Sequence, residues 1–238
     1  FQLREQSPSA QGNAFAGVSA GGSDISSMFF NPATMTLFSG KQISAGFSLV
    51  QPFSESKNGV ATRFLSSFGS ISGPAYHPDA AKNVPLPSAY ALWSVSNDLK
   101  LGLSLNVPFG MGTEYQSDYI GRYHALKSSL NVVDVAGNAA YRVNSYLSVG
   151  ASVVGRRSSA ELSNAVDFAT IILASPQIPN SAKAGITPGS LDGQANLEGN
   201  KTDFGYKLGF TVQPTKNIRL GLARHSAMNT TLDSSCPT

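Results

Sequence analysis

Leu99-Lys100-Leu101-Gly102-Leu103-Ser104-Leu105-Asn106-Val107-Pro108-Phe109 decides the fold class. Its apolar residues stand at every second position. That period belongs to a β-strand with one face in an apolar medium, not to a helix. The alternation recurs on both sides of this stretch. Ser96-Asn97-Asp98 is a tight-turn signal, and before it Ala89, Ala91, Trp93 and Val95 share one face of a strand from about Leu86 to Val95. An earlier strand spans Gln42 to Pro52, with Ile43, Ala45, Phe47 and Leu49 on one side. Downstream, Val133, Val135, Gly137, Ala139 and Tyr141 oppose Asp134, Asn138 and Arg142 in a strand from about Ser128. After the turn Val143-Asn144-Ser145 come Leu147, Val149, Ala151 and Val153. A sixth strand carries Phe204, Tyr206, Leu208, Phe210 and Val212; after Pro214-Thr215-Lys216-Asn217, Ile218, Leu220 and Leu222 begin a seventh.

The connections alternate long, short, long, short, long, short. Long polar stretches occupy Ser54 to Asn83, Gly110 to about Tyr123, and about Ala160 to Asn200, the last with a short helix near Val166 to Ala174. In a meander this puts every tight turn at one end and every long loop at the other, as in outer-membrane barrels. Strands of about ten residues match a tilted wall crossing a bilayer. The fold expected is all-β, an antiparallel transmembrane barrel wall. A soluble β-sandwich also alternates but does not require this asymmetry.

Composition agrees. Of the 238 residues 13% are charged and 41% hydrophobic, with Ser, Asn, Thr and Gly filling the difference. That suits one apolar face and one polar, weakly charged face. No apolar run of about 18 residues exists, so no transmembrane helix is expected. The net charge of +3 is small and scattered, so no nucleic-acid partner is expected. The chain opens at Phe1 rather than Met, which reads as a processed start after removal of a signal peptide. The lone Cys236 can form no internal disulfide.

Residues 1–40 do not alternate. They are rich in small residues and lead to Ser27-Met28-Phe29-Phe30-Asn31-Pro32-Ala33, where the adjacent phenylalanines read as exposed. A compact segment before a strand meander reads as a plug inside the wall. The division expected is a plug over 1–40, wall strands over 41–232 and an irregular tail over 233–238. Phe29 and Phe30 either anchor the plug or line an apolar ligand pocket. Pro108 cannot donate to a ladder and Gly110 permits a bend. Asn106-Val107-Pro108-Phe109-Gly110 is therefore either a break in the wall or an ordinary strand end.

Several stretches resemble the FadL family of outer-membrane transporters. They are Phe1-Gln2-Leu3 with Glu5-Gln6-Ser7, Gly12-Asn13-Ala14-Phe15-Ala16-Gly17, Phe30-Asn31-Pro32-Ala33, Pro108-Phe109-Gly110-Met111-Gly112-Thr113 and Gly121-Arg122-Tyr123. The resemblance implies uptake of long-chain fatty acids or other hydrophobic compounds by a monomeric fourteen-stranded barrel with an N-terminal hatch. It implies that Phe1, Gln2 and Leu3 lie beside the ligand and that Asn31, Pro32 and Ala33 belong to the hatch. It also implies a lateral opening at Asn106 to Gly110, with outer-membrane lipid and lipopolysaccharide as surroundings. Seven strands against fourteen reads as a C-terminally truncated member.

Other motifs carry less. Gly17-Val18-Ser19-Ala20-Gly21 matches a nucleophile elbow but lacks the strand before and helix after that the motif needs. His77, His124 and His225 have no partners at metal-ligand spacing. Arg156-Arg157 reads as a solvated strand end or as a contact for a carboxylate or a lipopolysaccharide phosphate. Asn229-Thr230-Thr231 has the form of a glycosylation acceptor, idle in a bacterial setting. No enzyme activity, cofactor or metal is expected. The alternative to transport is a structural or adhesive barrel displaying its loops.

Overall fold

Seven alternating segments pair edge to edge in chain order. The computed structural model describes residues 3–63, 66–228 and 233–235. Strands β1 (Lys41–Val50), β2 (Val84–Ser94), β3 (Leu99–Glu114), β4 (Lys127–Arg142), β5 (Leu147–Asp167), β6 (Asp192–Thr215) and β7 (Ile218–His225) form one antiparallel sheet in the order β1-β2-β3-β4-β5-β6-β7. A three-residue strand, β8 (Asp233–Ser235), pairs with Glu198–Asn200 of β6. So part of the tail expected to be irregular joins the sheet; three residues are too few to carry a period. Cys236 and Asn229-Thr230-Thr231 lie outside the described residues.

The wall is apolar outside, and inside it mixes polar side chains with apolar ones that meet the plug. Along β4 the even positions Val132, Asp134, Ala136, Asn138 and Ala140 are buried, while Val133, Val135 and Tyr141 are exposed. The buried face elsewhere includes Ser104, Asn106, Ser148, Ser152, Lys207 and Thr211; the exposed face includes Leu101, Leu103, Val153, Phe204 and Leu220. In water this distribution would be costly, whereas against hydrocarbon it is the expected one. No helix among the described residues is long and apolar enough to cross a membrane; the strands supply the span.

The long excursion expected from Ala160 to Asn200 is much shorter. β5 and β6 stay in ladder to Asp167↔Asp192, so the connection is 168–191, with helices α2 (Phe168–Ala174) and α3 (Asn180–Lys183). In these outer strand halves the outward face turns polar above the height of an apolar band, and most of the apolar residues, Ala160, Leu162 and Val166 on β5 with Ala195 and Leu197 on β6, fall on the inward face. So sparse and inverted a pattern does not read as a wall strand. Likewise β3 continues to Glu114, into the stretch expected to be irregular.

Residues 3–38 hold no strand. Helix α1 (Pro8–Gly12) and two 3-10 helices, Ile25–Phe29 and Pro32–Leu37, are each capped by a side chain: Ser7, Asp24 and Asn31. Ile25, Met28, Phe29 and Met35 pack with Tyr90, Leu92 and Ala140 of the wall in one apolar cluster. The core of the molecule is therefore the contact between plug and wall. Phe29, read from sequence as exposed, is buried in it, and Phe30 packs against its edge. Period-two reasoning cannot see burial by a wall that comes later in the chain.

Candidate functional site

The wall is interrupted in β3. Asn106 pairs with Asp134, but Phe109 pairs with Val132, so Val107 and Pro108 together oppose Val133. This extra residue is a β-bulge, and a one-residue slip exchanges the faces of the residues beyond it. Phe109, expected on the apolar outer face with Leu105 and Val107, instead stands opposite the inward Val132. Its ring lies 5.4 Å from the Arg156 guanidinium carbon. β2 leaves β3 at the same height: they pair only from Ala89↔Leu105 to Ser94↔Lys100, while β2 stays with β1 down to Val84. Pro85 and Pro87 stand in that departing part of β2, where neither has an N–H to offer.

The N-terminal segment fills the vacated hydrogen-bonding positions. Leu3 N donates to Pro108 O at 2.8 Å. The Gln6 side-chain amide donates to Val107 O at 2.7 Å and accepts from Val107 N at 3.0 Å, as a neighbouring strand residue would. Gln6 is itself held: its carbonyl accepts from Tyr90 Oη at 2.7 Å, and that hydroxyl accepts from Asn106 Nδ2 at 2.6 Å. Gln6 and Asn106 are fully buried.

Asn31, Pro32 and Ala33 sit in a notch of the wall. Gly150 and Gly209 are register partners on β5 and β6. A Cβ on Gly209 would come within 1.9 Å of Asn31 Oδ1, and one on Gly150 within 2.4 Å of Ala33 N. Asn31 Nδ2 donates to Ser19 O at 2.6 Å and to Phe210 O at 3.0 Å, while Oδ1 accepts from Ala33 N. One amide thus caps a helix, ties down the preceding turn and fastens the plug to β6. The Gly17–Gly21 stretch has no strand before it; Ser19 contributes only its carbonyl here.

The second 3-10 helix is held in place from the wall by Arg142, which donates to Thr36 O, and by Thr36 Oγ1, which donates to Ser148 Oγ at 2.9 Å. Lys207 donates to Phe29 O at 3.0 Å with its ammonium 4.1 Å from the Phe29 ring centre, and its register partner His225 contacts Phe30 O at 3.2 Å. Above these, Asp134 and Arg156 form a bidentate pair with both bonds at 2.7 Å. Arg156 therefore points inward, not to a solvated strand end.

A pocket of about 440 Å³ lies between plug and β7. Leu3, Phe29 and Phe30 line it with Phe15 and Val18; Arg4 supplies a cationic edge and His225 an imidazole. The structure thus brings together three of the five residues expected beside a ligand; Phe1 and Gln2 lie outside the described residues. Asn106 to Gly110 lie apart from this pocket, joined to it through the Leu3–Gln6 segment. Sequence reasoning missed Gln6, Tyr90, Arg4 and His225. Pro85 and Pro87 were a legible sign of where β2 leaves β3.

At the long-loop end a four-charge clamp joins three loops. Asp167 and Asp192 are cross-strand partners, two like charges that would repel. Arg63 from the 51–83 loop pairs with Asp167 at 2.8 Å, and Arg122 from the 115–126 loop pairs with Asp192 at 2.9 Å. Burial alone would raise the Asp167 carboxyl, but the Thr170 hydroxyl, Arg63 and the Thr170 and Gly189 backbone hold it down to about 2. Among the described residues no cluster of three metal-ligating side chains occurs.

A family model described as outer membrane protein transport protein (OMPP1/FadL/TodX) matches residues 1–236. An outer membrane protein of Neisseria meningitidis serogroup B is 33% identical over 239 residues, covering 98% of this chain and 50% of that protein. The long-chain fatty acid transport protein of Escherichia coli O6:H1 is 25% identical over 240 residues, covering 98% and 51%. Among solved structures, a Pseudomonas aeruginosa FadL homologue superposes with a TM-score of 0.72 at 21% identity, over 98% of this chain and 54% of that one. The Ralstonia pickettii toluene transporter TbuX gives 0.57 at 20% identity, over 88% and 54%. The chain spans about half the length of the relatives it matches, and its wall is half of an outer-membrane barrel.

Proposed function

Because the chain belongs to the OMPP1/FadL/TodX family of bacterial outer-membrane transport proteins, we propose that it forms the N-terminal half of an uptake path for long-chain fatty acids or other hydrophobic compounds. The compound enters from the long-loop end, which faces outward in such barrels. It rests in the pocket lined by Leu3, Phe29 and Phe30. It leaves sideways into the bilayer at the β3 interruption, Asn106 to Gly110. Apolar burial drives the binding, at about 0.8 kcal/mol per buried methylene. Arg4 can face a carboxylate end; a neutral aromatic compound does not need it. The relatives named for fatty acid and for toluene support this range of cargo. The working barrel is a monomer surrounded by outer-membrane lipid.

The observation that carries the proposal is the pairing of Val107 and Pro108 with the short N-terminal segment instead of β2. Such a break is closed by side-chain and terminal contacts that a bound ligand can displace without unzipping the ladder. Replacing Pro108 with Val restores a donor and favours continuous pairing. Cells carrying Pro108→Val should take up labelled fatty acid at the background rate while the protein keeps its membrane level. Undiminished uptake would favour the structural or adhesive role.

A further inference from the structure

The outer surface of the wall carries a feature that transport does not use. Trp93, Leu103 and Val153 wall a groove of about 470 Å³ whose floor is the small residues Gly137, Ala139 and Ala151. Its size falls within the ordinary range of ligand sites, about 300–1,000 Å³. The groove is on the outward face: Leu103, Gly137 and Val153 are register neighbours on β3, β4 and β5, and Leu103 and Val153 are exposed.

Upward along β5 the next outward positions are Gly155 and Arg157. Gly155 carries no side chain, and a Cβ there would stand in ordinary contact with the Phe204 ring, at 3.6 Å, so that ring flanks the lane between Val153 and Arg157. Arg157 stands between Val133 and Thr202, and is exposed. It is four residues beyond Val153, about 13 Å at about 3.3 Å per residue. Among the described residues it forms no ion pair, in contrast to Arg156, which is committed to Asp134 inside. The next row outward carries Asn131, Ser159 and Asn200, with Asp233 of β8 at its far edge as the register partner of Asn200; Glu161 and Glu198 follow one row further. The outward face thus passes from an apolar groove to a free guanidinium to a row of hydroxyl and amide groups edged by Asp233, at the end where the long loops emerge.

We propose that this groove and Arg157 seat one molecule of a phosphorylated glycolipid of the outer leaflet, of the lipid A type. An acyl chain lies on Gly137, Ala139 and Ala151, and a headgroup phosphate meets Arg157. A guanidinium matches phosphate geometry with two parallel donors, and the polar row beyond accepts the sugar. The small-residue floor matters because it lets a chain lie against the backbone, where larger outward side chains would hold it off.

The test uses the protein purified from outer membranes as the cell makes it, stripped of lipid in detergent, with binding read by native mass spectrometry. Probes are diphosphorylated lipid A, the same lipid with its phosphates removed, and inorganic phosphate as competitor. The wild type should bind the diphosphorylated lipid, Arg157→Gln should weaken it about tenfold or more, and Arg157→Lys should retain part of the affinity. Ala151→Phe, which fills the groove from the lipid side, should weaken both lipids alike. Equal binding of the dephosphorylated lipid, or Arg157→Gln within about twofold of wild type, would overturn the proposal. So would displacement of the lipid by inorganic phosphate alone.

Discussion

Gln6→Ala tests how the wall interruption is closed. The substitution removes two hydrogen bonds, both to the backbone of Val107, at 2.7 and 3.0 Å. It leaves the Val107 N–H and C=O without their partner, while Leu3 N still reaches Pro108 O. Each lost bond costs about 1 kcal/mol, or up to about 2 where the stranded group stays out of water, so the segment should loosen by about 2–4 kcal/mol. That corresponds to a rise of about 30- to 1,000-fold in the population detached from β3. Amide hydrogen exchange in detergent micelles reads this directly. The Val107 amide should exchange faster by that factor, and the Gly150 amide, in the distant β5 ladder, should not change. If Val107 remained as protected as in the wild type, the side chain of Gln6 would not be its partner. The account of the β3 closure would then fail.

Gly209→Val should force Asn31 out of its notch, since even a Cβ meets Oδ1 at 1.9 Å. The expected loss is about 1–3 kcal/mol of plug docking, seen as faster proteolysis between the two 3-10 helices with the strands intact. Asp134→Asn leaves the Arg156 charge inside the wall. It should cost on the order of 3 kcal/mol, the low end for a buried pair because Asp203 lies across from Arg156 on β6. Thermal unfolding would show this, and Asp134→Asn with Arg156→Met should recover much of it. The loop clamp should depend on acid. The Asp167 carboxyl lies below its ordinary value near 3.8, at about 2, so its contribution is complete above about pH 4 and is lost as the pH falls through about 2. Protease nicking of the 168–191 connection should rise across that window in the wild type. In Asp167→Asn it should be high already at neutral pH.

The parts of the fold that are legible in the sequence are those in contact with hydrocarbon. From β1 to β4 the outward face is apolar with few interruptions, while the inward face mixes polar residues with the apolar ones that meet the plug, and hydropathy marks each strand within a few residues. In the outer halves of β5 and β6 the outward face turns polar, with Glu161, Asn196 and Glu198, and only a few apolar residues such as Leu162 and Leu197 remain on the other face, so a ladder reads as a loop. The bulge at Val107 and Pro108 has a local chemical sign in proline. Its consequence, the turning of Phe109 to the inner face, depends on register with β4, which no local pattern records. Gln6 and Tyr90 come from segments more than eighty residues apart, joined only when the plug enters the wall. The same holds for His225 and Phe30. Gly150 and Gly209 are visible as residues, but their purpose lies in the Asn31-Pro32-Ala33 segment that they admit.

The measurement that bears most directly on a sideways path is photolabelling. A fatty acid with a photoreactive group at its chain end would be supplied from outside to cells carrying the protein, irradiated during uptake, and its adducts mapped by peptide mass spectrometry. The path proposed predicts adducts on the Leu3, Phe29 and Phe30 pocket and on Val107 to Gly110, and loss of the second set in Pro108→Val. Adducts confined to the pocket and to inward residues at the tight-turn end, such as Ser148 and Thr211, would mean passage straight through the lumen and would contradict it.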